Sequence, residues 1–273
     1  MILAAFVAVV FIAVYVWQDG INRCQDGDRY TSGKPQPTPF NRRFLHWPPR
    51  LLMVVTWASF VALGSMLGGW KPALLFISLP GVWFCATHPT TVDAPAMFLA
   101  WCSAAAIHSS LDASVSVPLA VAAAAIGGGL HERSPVFAAL YAWHPLPLVG
   151  LVVPLLVGWL RKPAAPNHAS PELADRLVGH GTWGALAAHK PYVDMLSETG
   201  LVWSLRGLPL TAAWAGVPPS AWASLAVAYA SRLIGTDTAR FLMWAAPPLC
   251  ARLGEVPMWM VGLHMMTFRR VNQ

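Results

Sequence analysis

The residues best suited to chemistry lie in the polar stretch that follows the first apolar run of the chain. Residues 18–49 hold three aspartates and four arginines, although charged residues make up only 11% of the 273-residue protein. Asp19 comes directly after the apolar run, and Asp28 lies further along the stretch. A carboxylate at the mouth of an apolar helix can act as a general base that takes a proton from a hydroxyl. Asp19 is the best-placed base, and Asp26 and Asp28 are alternatives; we expect the catalytic residues to be Asp19 and Asp28.

The same stretch contains arginines that could bind phosphate and carboxylates that could bind a divalent cation. Guanidinium groups form bidentate hydrogen bonds with phosphate, so we expect Arg42 and Arg43 to clamp one. A pair of carboxylates such as Asp26 and Asp28 also suits Mg²⁺ or Mn²⁺, which leaves a divalent cofactor open. The simpler interpretation is a solvated loop with internal ion pairs, and the sequence does not separate the two.

Polar residues also lie next to apolar runs at two later positions in the sequence. Asp93 opens an apolar run. It either caps a helix or supplies a second acid to the cavity that Asp19 would face. The triplet His131, Glu132 and Arg133 lies between two apolar runs. Helix capping and local pairing are its simplest explanation. The functional alternative is that Glu132 orients a substrate or a metal, while His131 or Arg133 contacts phosphate.

A third pair lies near the end of the chain. Asp237 and Arg240 are three positions apart and can meet on one face of a helix. A structural ion pair is the simplest interpretation, and a charged site facing a cavity is the alternative.

Composition decides the class of protein. Hydrophobic residues make up 56% of the chain and the mean hydropathy is +0.52, against about 45–50% apolar and about 25% charged residues in soluble domains. We expect an all-α, polytopic transmembrane bundle with about eight to ten hydrophobic segments in one integral-membrane domain, 1–273. Residues 18–49 would be its active-site loop and 161–196 an interfacial loop. The net charge of +6 favours anionic lipid or phosphate over nucleic acid.

The hydrophobic segments can be read directly from the sequence, whereas their orientation cannot. The basic pairs at 161–162 and 269–270 are typical cytoplasmic anchors, but residues 18–50 also carry six basic residues. The four cysteines have no metal-ligand spacing. The apolar runs are 1–17, 51–69, 73–87, 94–108, 115–130, 135–160, 199–216, 220–235, 239–252 and 256–268.

In their order and type, these motifs resemble the GT-C class of integral-membrane glycosyltransferases. That class has an acid after the first helix, an outer loop with Tyr and Arg, an acid opening a later span, a Lys-Glu-like dipeptide and a late Asp-x-x-Arg. His131 stands where the class usually has lysine, and the chain is short for the class. The matching residues are Asp19, Asp28-Arg29-Tyr30, Arg42-Arg43, Asp93-Ala-Pro-Ala, His131-Glu132 and Asp237-Thr-Ala-Arg240.

The resemblance implies a specific activity and partners. A sugar would move from a polyprenyl-phosphate donor to an acceptor hydroxyl, with Asp19 as the base. Membrane lipids would surround the chain, in a bacterial inner membrane. The phosphate- and substrate-binding set would be drawn from Arg29, Tyr30, Arg42, Arg43, Asp93, His131, Glu132, Arg133, Asp237 and Arg240.

A different class of function is also compatible with the sequence. The chain would then be a non-catalytic transmembrane subunit of a larger complex, such as a photosynthetic or respiratory assembly, with protein partners. Its tryptophans and scattered histidines would serve packing or pigment contacts. Geometry discriminates the two, since an enzyme needs its charged groups to converge on one site.

Overall fold

The computed structural model describes residues 14, 17, 18, 48–87, 92–160, 216–231 and 242–252. Within these ranges the chain forms helices and turns and no strand, which confirms the all-α class for this part of the protein. A 3₁₀ segment, Leu146–Leu151, joins two of the helices. The α-helices are α1 (Pro49–Ser65), α2 (Trp70–Ser78), α3 (Pro80–Thr87), α4 (Asp93–Ile107), α5 (Ala113–Leu130), α6 (Arg133–Ala142), α7 (Val152–Leu160), α8 (Pro219–Ala230) and α9 (Ala246–Ala251).

Prolines explain where the helices depart from the apolar runs. The run 73–87 was expected to be one segment, but Leu79 is extended (φ −63°, ψ 130°) and a new helix begins at Pro80. The ring of a proline disfavours the helical conformation of the residue before it, so the run divides there. The run 135–160 likewise becomes a helix, a 3₁₀ segment and a second helix, because Pro145 and Pro147 fall in the break.

One helix among the described residues has the length and apolar composition needed to cross a membrane. This is α5, with 18 residues, which corresponds to about 27 Å of helix. Helices α1 and α4 and residues 146–156 are apolar but shorter. The polytopic bundle therefore remains a proposal.

Helix α4 lies at the centre of the described core. It packs against α1, α5 and α6, and buried hydroxyls connect it to two of them. Ser103 Oγ donates to the Ala120 carbonyl of α5 at 2.8 Å, and Ser134 Oγ donates to the Ala96 carbonyl at 2.9 Å. The Ser134 bond fixes the N-terminal end of α4 against the start of α6, and the Ser103 bond fixes its C-terminal half against the middle of α5.

Candidate functional site

Asp93 is the first residue of α4 and is almost completely buried, with 1% of its surface exposed. Val92 precedes it in the N-cap position with φ 52°, a left-handed conformation that is unfavourable for a β-branched residue. The capping interpretation of Asp93 is therefore wrong by one position. Its carboxylate still lies in the first helical turn, where negative charge interacts favourably with the helix dipole.

His131 occupies the junction between α5 and α6. Its backbone is extended, with its N–H donating to the Gly127 carbonyl at 2.8 Å and its carbonyl accepting from Ser134 N–H at 3.0 Å. These two bonds hold the residue between the helices and direct its buried ring towards α4. Nε2 of the imidazole lies 3.5 Å from Asp93 Oδ1.

The hydrogen bond at Nδ1, the other ring nitrogen of His131, indicates which tautomer the neutral ring adopts. The backbone N–H of Arg133 donates to Nδ1 at 3.3 Å. An Nδ1 that accepts a hydrogen bond is unprotonated, so the neutral ring carries its proton on Nε2, facing Asp93. The imidazole thereby supplies an acceptor to the first N–H of α6, a group that no carbonyl within the helix can satisfy.

Trp244 closes the site from a distant part of the chain. Its indole Nε1 donates to Asp93 Oδ1 at 3.1 Å across 151 positions, and its ring packs edge-on against His131 at 5.6 Å. Tyr141 of α6 donates its hydroxyl to the Trp244 carbonyl. Both aromatic residues are buried, so hydrogen bonds of the interior connect three separate segments.

Glu132 extends the site to the surface. Its side chain is 47% exposed, and Oε2 lies 3.4 Å from His131 Nδ1. Partial burial raises the pKa of the Glu132 carboxyl, but the positive charge of protonated His131, a backbone hydrogen bond and Arg133 together outweigh it. The pKa of Glu132 consequently lies below its ordinary value. We call Asp93, His131, Glu132 and Trp244 the His131 cluster.

The His131 cluster can hold and exchange protons. An imidazole between two carboxylates can accept a proton from one side and stabilise it from the other. Within the described part of the chain, no group of three or more His, Cys, Asp or Glu side chains could hold a metal ion. The carboxylate pair Asp26 and Asp28 lies outside the described residues.

The structure brings together candidates that the sequence places in two separate motifs. Asp93 lies 3.5 Å from His131, which lies 3.4 Å from Glu132, and Arg133 joins them through its backbone N–H. Their functional roles stay predictions. Eight other candidates lie outside the described residues, namely Asp19, Asp28, Arg29, Tyr30, Arg42, Arg43, Asp237 and Arg240.

Sequence reasoning missed Trp244 and Tyr141. Trp244 is one of 14 tryptophans and lies in an apolar stretch, so nothing in its local sequence distinguishes it from a packing residue. The signal that could have pointed to Trp244 is Asp93 itself. A carboxylate that is buried with an apolar run requires a hydrogen-bond donor from elsewhere in the protein. An indole N–H is a donor that other apolar runs could supply.

Comparison of the chain with protein-family models, curated proteins and solved structures gives no match.

Proposed function

We propose that the chain is an integral-membrane transferase that moves a sugar from a polyprenyl-phosphate donor to an acceptor hydroxyl. The observation that supports this proposal is the position of His131, whose imidazole lies between the buried Asp93 and the half-exposed Glu132. Asp93 and His131 are distant in sequence, and sequence reasoning selected both as site residues. An enzyme requires such groups to converge on one site, and the half-exposed Glu132 gives this cluster access to the surface.

The exposed faces of the helices support a membrane environment. Val115, Leu119 and Ile126 of α5 recur at helical spacing, and about half of each side chain is exposed. Exposed apolar surface is unfavourable in water by roughly 25 cal/mol per Å². Contact with lipid acyl chains would remove this free-energy cost. Helix α5 is long enough to cross the hydrocarbon core of a bilayer.

Each residue has a defined role in the proposal. Glu132 accepts hydrogen bonds from sugar hydroxyls at the surface end of the His131 cluster, and Asp93 and Trp244 hold His131 behind it. Arg133, with Arg42, Arg43 and Arg240, neutralises the donor phosphate. Asp19 takes the proton from the acceptor hydroxyl, and the phosphate of the lipid is the leaving group.

The test measures release of polyprenyl phosphate from a synthetic short-chain polyprenyl-phosphate hexose by membranes that contain the protein. We expect Asp19→Asn to abolish release and Glu132→Gln to reduce it by roughly tenfold to a hundredfold, the scale of a hydrogen bond to a charged group. The matched control is Asp112→Asn, an exposed acid before the opposite end of α5. Equal release by Glu132→Gln and Asp112→Asn would contradict the assignment of Glu132.

The second candidate function is a non-catalytic subunit of a membrane complex. It is favoured by the burial of Asp93 and His131, with 1% and 7% of their surfaces exposed, beneath the buried Trp244. Groups so enclosed can serve to hold helices together. In that case Asp93→Asn lowers the unfolding temperature of the protein, while no variant of Glu132 changes the release of polyprenyl phosphate from the sugar donor.

A further inference from the structure

Nδ1 of His131 has two neighbours that require opposite protonation states. The backbone N–H of Arg133 lies 3.3 Å away and can only donate, whereas the Glu132 carboxylate oxygen lies 3.4 Å away and accepts when ionised. An unprotonated Nδ1 accepts from the first neighbour, and a protonated Nδ1 donates to the second. One ring nitrogen cannot do both at once, so the two contacts belong to two states.

We infer that Asp93, His131 and Glu132 form a proton-binding site in which uptake of one proton at Nδ1 exchanges the bond from the Arg133 amide for a bond to the Glu132 carboxylate. The proton comes from solvent and adds to the Nδ1 lone pair. The proton on Nε2 stays in place, directed at Asp93 Oδ1. No other bond forms or breaks, and the net charge of the three groups rises by one.

The described elements around this ring contribute the following groups. Helix α4 supplies the Asp93 carboxylate, and the α5–α6 junction supplies Glu132 and Arg133. The segment 242–252 supplies Trp244, whose indole N–H already bonds to Asp93. The Tyr141 hydroxyl of α6 faces the Trp244 carbonyl. Among the described residues, the carboxylates of Asp93 and Glu132 favour the protonated ring, whereas the burial of His131 opposes it.

Proton uptake would change what the surface presents. In the neutral state the first N–H of α6 bonds to the imidazole and the Glu132 carboxylate is available to a ligand. In the protonated state that carboxylate is held by Nδ1–H beside the N-terminus of α6, where negative charge is also favoured. The site therefore couples pH to the availability of Glu132.

The proton site can be detected without any substrate, so its test is independent of the transferase proposal. The whole chain, labelled with ¹⁵N-histidine and ¹⁵N-arginine and purified in detergent, is titrated between about pH 5 and 8, where histidines change charge. Arg133→Lys identifies the Arg133 amide signal by its loss. His131→Gln identifies the His131 signals. We expect the neutral ring to be the Nε2–H tautomer, and the Arg133 amide signal to shift with the same midpoint as His131.

The decisive variant is Glu132→Gln, which alters a half-exposed side chain and leaves the buried residues in place. We expect it to lower the midpoint of the His131 titration by about half a pH unit, the scale of a screened pair. His144 is the internal control, because its Nδ1 also accepts from a backbone N–H two residues on, that of Leu146 at 3.1 Å. Glu132→Gln should act on His131 alone, because His144 is exposed and forms no ion pair with an acid within the described ranges.

Several results would overturn the proton site. A His131 ring that does not titrate in this range, or that carries its proton on Nδ1 when neutral, contradicts the exchange. An unchanged His131 midpoint in Glu132→Gln, or an equal change at His144, contradicts the coupling. An Arg133 amide signal independent of pH contradicts the loss of its acceptor.

Discussion

At the scale of single residues, the protein stabilises a buried carboxylate with donors from remote segments. Asp93 accepts a hydrogen bond from Trp244 Nε1 and faces Nε2 of His131. Burying such a group without partners is strongly unfavourable, since a carboxylate loses its hydration in the interior. Removing one donor should therefore cost more free energy than the bond contributes on its own.

Trp244→Phe tests this expectation. The substitution keeps an aromatic ring against His131 and Phe137 but removes the indole N–H that bonds to Asp93. We expect the free energy of unfolding to fall by about 1–3 kcal/mol, measured by denaturation in detergent. Trp57→Phe is the control, because Trp57 Nε1 makes no hydrogen bond within the described part of the chain. A larger loss in Trp57→Phe would contradict the role of the Asp93 bond.

Glu132 makes stability depend on pH. Its pKa lies below the ordinary value in the folded protein, so the unfolded chain takes up the proton at higher pH than the folded chain. Relative to Glu132→Gln, the wild-type protein should gain stability above about pH 5, and lose it as pH falls through the folded-state pKa. The half-exposed pair is screened, so we expect a difference of at most about 1 kcal/mol. A difference that grows on acidification would contradict the direction of the pKa shift.

Trp143 ends α6 in a left-handed conformation with φ 50°. Trp143 N–H donates to Leu140 O and His144 N–H to Ala139 O, the two bonds of a Schellman motif. Trp143→Gly should be more stable than Trp143→Ala by about 1 kcal/mol, since glycine adopts this conformation without a Cβ penalty. Thermal unfolding of the two variants measures the difference, and greater stability of the alanine variant would contradict the motif.

At the scale of helices, small residues set the distance between α5 and its neighbours. A Cβ placed on Gly128 would lie 2.5 Å from the Gly150 carbonyl oxygen, and one on Gly150 would lie 2.5 Å from the Ala124 carbonyl oxygen. Both contacts are with backbone, which cannot rotate away. This close approach positions α5 and so fixes its end, where His131 begins the junction with α6.

Gly128→Ala measures that constraint. We expect a loss of about 1–3 kcal/mol from overpacking, which outweighs the gain of helix propensity. Gly64→Ala is matched to it, because Gly64 is also buried in a helix but a Cβ there would meet the Ile77 side chain at an ordinary 3.4 Å. That variant should be neutral or more stable. Equal losses in both would contradict backbone contact as the cause.

The bounds of the helices could be predicted from the sequence better than the contacts between them. The apolar runs 94–108 and 115–130 differ from α4 and α5 by one or two residues at their ends, because small apolar residues give an unambiguous pattern. The division at Pro80 follows from a local rule, because proline disfavours the helical conformation of the residue before it. The partnership of Asp93 with Trp244 depends on packing between distant segments, which no local pattern encodes.

At the scale of the whole molecule, the proposed transferase requires charged groups from different segments to share one site. The sequence selected residues in the stretch 18–49 and in later, more apolar parts of the chain, and the structure brings Asp93 of α4 together with His131 and Glu132 of the α5–α6 junction. The polar stretch 18–49 supplies the base and the phosphate clamp of the proposed transferase. In a packing subunit, that stretch has no reason to lie near Glu132.

The most direct test is a distance measurement between position 19 and each end of α5. Spin labels are placed at positions 19 and 132, or at 19 and 112, after the native cysteines are replaced. The pair 112 and 132 serves as a ruler of roughly 30 Å, set by the helix between them. The transferase account predicts that position 19 lies closer to 132 than to 112. A label at 19 that lies nearer to position 112 would contradict it.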